Sequence, residues 1–243
     1  MNIKPLIDKI VKSASMYPSG IFQAKGKIVT CVNPYSYLIL RKNSKLYERF
    51  DGVFVDGILM CIFIRLLWLK KVPRLSFDMV GMAKDLFERL NHTDESLYII
   101  GAKQDELDKC VYHVKDAYSG IKMAGCRNGY FSGEKERDYV INEIVSLSPD
   151  FVIVGMGTPL QDDFAVRLKN AGYNGVVFTC GGFIRQTSND INYYPEWVNR
   201  YNLRGFYRQY KEKGIFRRNI DTLLIFPLLF TYDTLNSKLI KFR

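Results

Sequence analysis

Six short runs of apolar, largely β-branched residues recur along this chain: Lys27–Val32, Gly52–Val55, Leu97–Gly101, Ile121–Gly125, Phe151–Gly155 and Gly175–Thr179. Between them lie longer stretches with helical spacing, Pro34–Arg49, Phe77–Leu90, Gln104–Tyr118, Glu134–Leu147 and Pro159–Ala171. Strand then helix, repeated, implies a largely parallel sheet. Parallel neighbours need a crossover, and the right-handed crossover is usually a helix. The expected fold is α/β and Rossmann-like, with helices on both faces of the sheet.

After Tyr193 the strand pattern stops, and Tyr, Trp, Phe and Arg take over at helical spacing. The chain of 243 residues therefore divides into a Rossmann-like core, 1–192, and a basic aromatic C-terminal appendage, 193–243, expected to be helical. Hydrophobic residues at 47% and charged residues at 25% exclude a disordered or low-complexity chain. Net charge is +10, and the segment from Tyr193 to Arg243 alone holds ten basic against four acidic residues. Such a surplus calls for an anionic partner: nucleic acid, anionic lipid or a phosphorylated substrate.

The first residues lack the layout of a secretory signal, and no apolar run reaches the roughly 20 residues of a spanning helix, so a cytoplasmic protein is expected. Five scattered cysteines without a C-x-x-C pair read as reduced, mostly buried thiols. His92 and His113 fall in no ligand pattern, and D-x-D and G-x-S-x-G are both absent. Neither a metal site nor an α/β-hydrolase is expected.

Ligands of open parallel sheets bind beyond the carboxyl ends of the strands, so the residues that follow each strand carry the candidates. Phe151–Val154 runs into Gly155-Met156-Gly157-Thr158-Pro159-Leu160-Gln161, and Pro159 suits the first position of a helix. Two glycines before a helix N-terminus can hold a phosphate or make an ordinary tight turn. The third glycine of a dinucleotide fingerprint is missing, which disfavours a nicotinamide site. Asp56, at the end of the second strand, can take a proton from a hydroxyl or cap the following helix. Asn33 and Asp78 are caps or site residues on the same grounds, and Arg74 is a phosphate clamp or a solvated charge. Tyr130 and Phe131 can stack on a base or fill the core.

Taken in order, several pieces resemble the WecG/TagA/CpsF glycosyltransferase family over most of the chain. They are Val55-Asp56-Gly57, Arg74 to Asp78, Gly129-Tyr130-Phe131, Gly155-x-Gly157-x-Pro159-x-Gln161-Asp162, and the stretch from Tyr194-Pro195-x-Trp197 to Tyr207-Arg208. The resemblance implies an inverting, metal-independent transferase without a cofactor. Its substrates would be a UDP-sugar, of N-acetylmannosamine or glucose type, and a polyprenyl-diphosphate-linked acceptor of bacterial surface polysaccharide biosynthesis. The enzyme would sit peripherally on the inner face of the cell membrane, against an anionic surface. The resemblance implies Asp56 as catalytic base and donor contacts from Asn33, Arg74, Asp78, Tyr130, Gly155, Gly157, Pro159 and Gln161. Acceptor-diphosphate and membrane contacts would come from Arg208 with Arg217 or Arg218.

The chain departs from the family pattern at three places. Cys31 stands two residues before Asn33, where Thr is usual, with Thr30 one place earlier; Phe183 is followed by Ile184 rather than Asp; and Asp162 replaces the commoner Glu. Charge and fold class leave two alternatives, a basic nucleic-acid-binding protein and an NAD-dependent oxidoreductase. The resemblance expects no nucleic acid and leaves a homo-oligomer open.

Overall fold

All six strands form: β1 Lys27–Val32, β2 Gly52–Val55, β3 Ser96–Gly101, β4 Lys122–Arg127, β5 Phe151–Gly155 and β6 Val176–Thr179. They make one sheet in the order β2-β1-β6-β5-β3-β4, and every neighbouring pair is parallel. The structure is a computed structural model and describes residues 1–23, 25–43, 45–201, 203–211 and 220–239. The helices used below are α1 Lys4–Met16, α2 Pro34–Leu40, α3 Ile58–Trp68, α4 Met82–Leu90 and α5 Gln104–Ala117. They continue with α6 Glu134–Leu147, α7 Leu160–Asn170, α8 Phe183–Thr187, α9 Arg204–Lys211 and α10 Phe226–Leu239.

Successive side chains of a strand point to opposite faces, and except at the edge strand β4 both faces are covered, which is why the other strand runs read as almost continuously apolar. On one face Ile28, Val53, Val152 and Val154 pack with Leu6 and Ile7 of α1, Ile64 of α3, Phe164 of α7 and Phe230 of α10. On the other, Val29, Phe54, Phe151 and Ile153 pack with Leu86 of α4, Leu107 of α5 and Phe183 of α8. The C-terminal helix is therefore part of the main core. Its Phe226 and Phe230 meet Tyr37 and Phe63 edge-on, at centroid separations of 5.1–6.3 Å across this aromatic group. Its buried Asp233 accepts hydrogen bonds from Tyr37 Oη (2.7 Å), Arg41 Nη2 (2.9 Å) and the Met1 amino group (2.9 Å).

Three helical expectations are corrected. The stretch Pro34–Arg49 breaks after α2 into a 3₁₀ turn, Arg41–Asn43, and a single helical turn, Lys45–Glu48. Helix α4 starts at Met82 rather than Phe77, because Asp78 accepts from Val80 N (2.9 Å) and the Ser76 hydroxyl, holding residues 76–81 in a turn. Helix α7 starts at Leu160, with Pro159 in the capping position before it.

Candidate active site

Because all strands are parallel, their carboxyl ends share one edge of the sheet, and a cavity of about 560 Å³ opens there. Residues at or just beyond the end of every strand line it: Asn33 after β1, Asp56 after β2, Ala102 after β3, Tyr130 after β4, Gly157 after β5 and Gly181 after β6. Its size falls in the range of clefts that enclose a small organic ligand.

Asp56 is positioned by its backbone N–H, which continues the β1 ladder by donating to Val32 O at 2.8 Å. It does not cap α3. That place belongs to Gly57, whose φ of 111° is one that favours glycine, and no side chain caps the helix. The Asp56 carboxylate accepts no hydrogen bond from the described residues. Its negative charge, added to burial, raises the pKa of Cys31 and of Tyr194, so both stay protonated beside it.

Arg74 is no solvated surface charge. Residues 74–75 pair with β2 through a Val55–Arg74 bridge, and Leu75 N donates to Val55 O at 2.9 Å, which carries the guanidinium into the cavity wall. Burial lowers its pKa, as does the positive charge of Arg204, while Asp56 and Asp78 act in the opposite direction. Arg208 of α9 lines the same cavity and reaches Gly182: a Cβ added there would lie 3.4 Å from Arg208 Nη2.

The glycine turn after β5 divides its work. Gly155 is required by packing, because a Cβ would lie 2.7 Å from Ile184 Cδ1 and 2.8 Å from Cys180 Sγ. Gly157, at φ 75°, has open space where a Cβ would stand and faces the cavity. Gln161 is buried below them, and its side-chain oxygen accepts from Gly157 N (3.2 Å) and Gly181 N (3.0 Å), tying the loops after β5 and β6 together. Its amide NH2 is the part left for a ligand. Pro159 does not line the cavity.

Asn33 does cap: its Oδ1 accepts from Ser36 N and its backbone N–H donates to Ser36 Oγ, both at 2.9 Å, while it also lines the cavity. The two aromatics after Gly129 separate. Tyr130 is 64% exposed on the rim, whereas Phe131 is half-buried, stacked on Phe164 with Arg127 over its ring at 4.6 Å. Thr30 points away from the cavity into a buried network, 2.7 Å from the Thr179 hydroxyl and 3.3 Å from Asp162 Oδ1. Cys31, one residue on, takes the cavity-facing position. Asp162 is fully buried, and desolvation pushes its carboxyl up to about 6 against hydrogen bonding from Thr158 and Thr30.

Arg204 is a residue that the sequence alone did not single out. It donates to Asp78 and Ser76 through Nη1 and to Asn199 Oδ1 through Nε at 2.6 Å, and lies over the Tyr194 ring at 5.1 Å. Asp78 lines the cavity too, and its carboxylate accepts from Arg204, Ser76 and Val80 N. Arg217 and Arg218 lie outside the described residues.

A carboxylate, arginines and a glycine turn gathered at the carboxyl edge of a parallel sheet suit a group-transfer enzyme of the α/β class. Residues 9–239 match the model of the glycosyl transferase WecG/TagA/CpsF family, and the chain belongs to that family. It is 34% identical over 176 residues to a UDP-Gal:alpha-D-GlcNAc-diphosphoundecaprenol beta-1,4-galactosyltransferase from Shigella boydii, covering 72% of this chain and 73% of that protein. It is 27% identical over 192 residues to an N-acetylglucosaminyldiphosphoundecaprenol N-acetyl-beta-D-mannosaminyltransferase from Bacillus subtilis, covering 77% and 73%. The protein is a glycosyltransferase.

Proposed function

We propose that this enzyme transfers a hexose from a UDP-sugar to a sugar carried on a polyprenyl diphosphate, with inversion and without a metal, in the assembly of a surface polysaccharide. The observation that carries the reading is Asp56: a strand-end carboxylate released from capping, in one cavity with Arg74, Arg208 and the glycine turn. The names of the two relatives above support the acceptor class, and that of the Shigella protein supports a UDP-linked donor.

In this reading the donor diphosphate lies against Gly157 and the Gly181–Gly182 loop, where backbone can approach closely, with Gln161 offering its amide hydrogens and Tyr130 at the rim. The acceptor hydroxyl attacks the anomeric carbon as Asp56 takes its proton. The bond from that carbon to the diphosphate oxygen breaks, and UDP leaves with the electron pair. Arg74 and Arg208 stabilise the charge that develops on the leaving diphosphate.

The test is UDP release from a panel of UDP-hexoses, including UDP-galactose and UDP-N-acetylmannosamine, with a short-chain polyprenyl-diphosphate sugar as acceptor and with a chelator present. Asp56→Asn is expected to lower kcat by about 10²- to 10⁴-fold with folding retained, the usual contribution of a general base. Near-native turnover in that variant places the base elsewhere, and loss of activity with the chelator removes the metal-independent reading.

A further inference from the structure

Behind the glycine turn, a carboxyl group joins threonine hydroxyls from three strand ends. Thr179 Oγ1 lies 2.7 Å from Thr30 Oγ1, Thr30 donates to Asp162 Oδ1 at 3.3 Å, and the Thr158 side chain donates to the same carboxyl. The ends of this chain, Thr158 and Thr179, line the cavity, whereas Asp162 in its middle is fully buried. Asp162 Oδ2 is buried too, with no hydrogen-bond partner among the described residues. The transfer step proposed above uses none of these groups.

No cation among the described residues pairs with this carboxyl. Helix α7 packs on β1, β5, β6 and α6. Strands β5 and β6 carry no ionisable side chain, Lys27 stands at the amino end of β1 away from the cavity, and Cys31 stays protonated. On α6 and α7, Glu134, Arg137, Asp138, Asp163 and Arg167 pair with one another, and Lys169 pairs with Asp51. On the cavity side stand the carboxylates Asp56, Asp78 and Glu106 and the guanidinium groups of Arg74, Arg204 and Arg208. Burial pushes the Asp162 carboxyl up to about 6, opposed by hydrogen bonds from Thr158, Thr30 and its own backbone N–H.

With the carboxyl ionised, the Thr158 hydroxyl hydrogen points inward to it, so the side chain offers the cavity lone pairs only. The N–H groups of Gly157 and Gly181 are likewise taken, by Gln161 Oε1. A phosphate oxygen at the turn then meets an acceptor backed by a buried negative charge, in surroundings that screen it poorly. One proton removes the conflict. A neutral carboxyl no longer holds the Thr158 hydrogen, and the hydroxyl is free to turn it to the phosphate.

We propose that Asp162 is a positioning residue that takes up a proton as a diphosphate binds at the glycine turn, releasing the Thr158 hydroxyl to donate to that ligand. The proton comes from solvent or a buffer acid, adds to the carboxylate oxygen, and returns to solvent when UDP leaves. Thr179 and Thr30 connect the carboxyl to the cavity. This rests on the reading that the donor diphosphate lies against Gly157, and deepens it. Ligand and proton then strengthen each other's binding by the same factor.

Calorimetric titration of the full chain with UDP-galactose, in buffers of different ionisation heat, counts the protons, because its esterified diphosphate does not itself titrate near neutrality. If the galactosyl group is refused, UDP serves as the probe, with Asp162→Asn as the reference for its terminal phosphate. The native chain is expected to take up roughly half a proton per ligand at pH 7 and almost none at pH 5, where Asp162 already holds it. Its Kd should rise about tenfold from pH 6 to pH 8. Asp162→Asn, an uncharged mimic of the protonated state, should bind without uptake, with a Kd that is flat over this range and below the native value at pH 8. Thr158→Val should weaken binding about tenfold at pH 6 while melting like the native chain. A role confined to stability would move the melting temperature and leave the proton count at zero.

Binding to the native chain without proton uptake overturns the inference. So does uptake that survives in Asp162→Asn, for the proton then belongs to another carboxylate of the cavity such as Asp56 or Glu106. If Asp162→Asn does not fold, the native proton count and Thr158→Val still decide. A native chain that binds neither UDP-galactose nor UDP defeats the functional reading, and this inference with it.

Discussion

Arg204 and Asp78 lie 126 residues apart in sequence and form a buried ion pair that fastens α9 across the cavity. The guanidinium is also held by Asn199 and Ser76 and rests on the Tyr194 ring. The pair therefore sets where Arg208, one turn further along α9, faces the cavity. Breaking one side of a buried pair leaves an uncompensated charge, which costs more than the pair contributes.

Arg204→Ala is therefore expected to release α9 before the core unfolds. Limited proteolysis should cut near residues 204–211 in the variant and not in the native chain. In a double-mutant cycle with Asp78→Asn the two residues should show a coupling of about 1–3 kcal/mol, as residues in direct contact do. Strictly additive effects would mean the two act independently.

Asp162 gives a pH signature opposite to that of most carboxylates. Its folded-state pKa is raised by burial, to about 6 from 3.8, so the native state holds the proton more tightly than the unfolded chain. Stability from this group is present below about 3.8, is lost as pH rises to about 6 and is flat above. Asp162→Asn should stabilise the protein above neutral pH by up to about 3 kcal/mol, at 1.36 kcal/mol per pH unit, and should flatten that part of the profile. Urea melts from pH 4 to pH 8 read this directly; a variant less stable than native at pH 8 would show that the carboxylate is favoured there.

Asp233 behaves in the usual sense. Burial raises its pKa, but hydrogen bonds from Arg41, the Met1 amino group and Tyr37 outweigh burial and hold it below its ordinary value. Its contribution is fully present above pH 3.8 and is lost as pH falls through the depressed folded value. Asp233→Ala is expected to cost about 3–5 kcal/mol, the range for an orphaned buried partner, and to loosen α10. Hydrogen exchange across residues 226–239 is the measurement, and protection unchanged from native would sink the prediction.

Two glycines near the carboxyl ends of β3 and β5 should respond unequally to alanine. At Gly101 a Cβ would lie 2.3 Å from Gly155 O, where two neighbouring strands end, and φ is 144°. At Gly157 the space is open and only the φ of 75° resists. Gly157→Ala is expected to cost about 1–2 kcal/mol, the price of a left-handed residue with a Cβ. Gly101→Ala should cost at least about 3 kcal/mol, because backbone must move. Denaturant midpoints for the two variants separate these values.

Strand identity and sheet class were legible in the sequence because strands buried on both faces must be apolar throughout. The runs at Gly52–Val55 and Phe151–Gly155 carry that requirement within a few residues. The same local logic marks Asp56 and Gly157, since the carboxyl end of a parallel strand is where a ligand meets backbone. Other features depend on contacts between distant segments. Local pattern could not tell that Asp56 is released from capping, that Arg74 is half-buried in the cavity wall or that Asp78 pairs with Arg204. Nor could it tell that α10 enters the core while α3 turns leucines outward. Those outcomes follow from which surfaces meet after the chain closes, and a charge or a leucine has the same one-letter code whether its neighbour is water, a partner or the core.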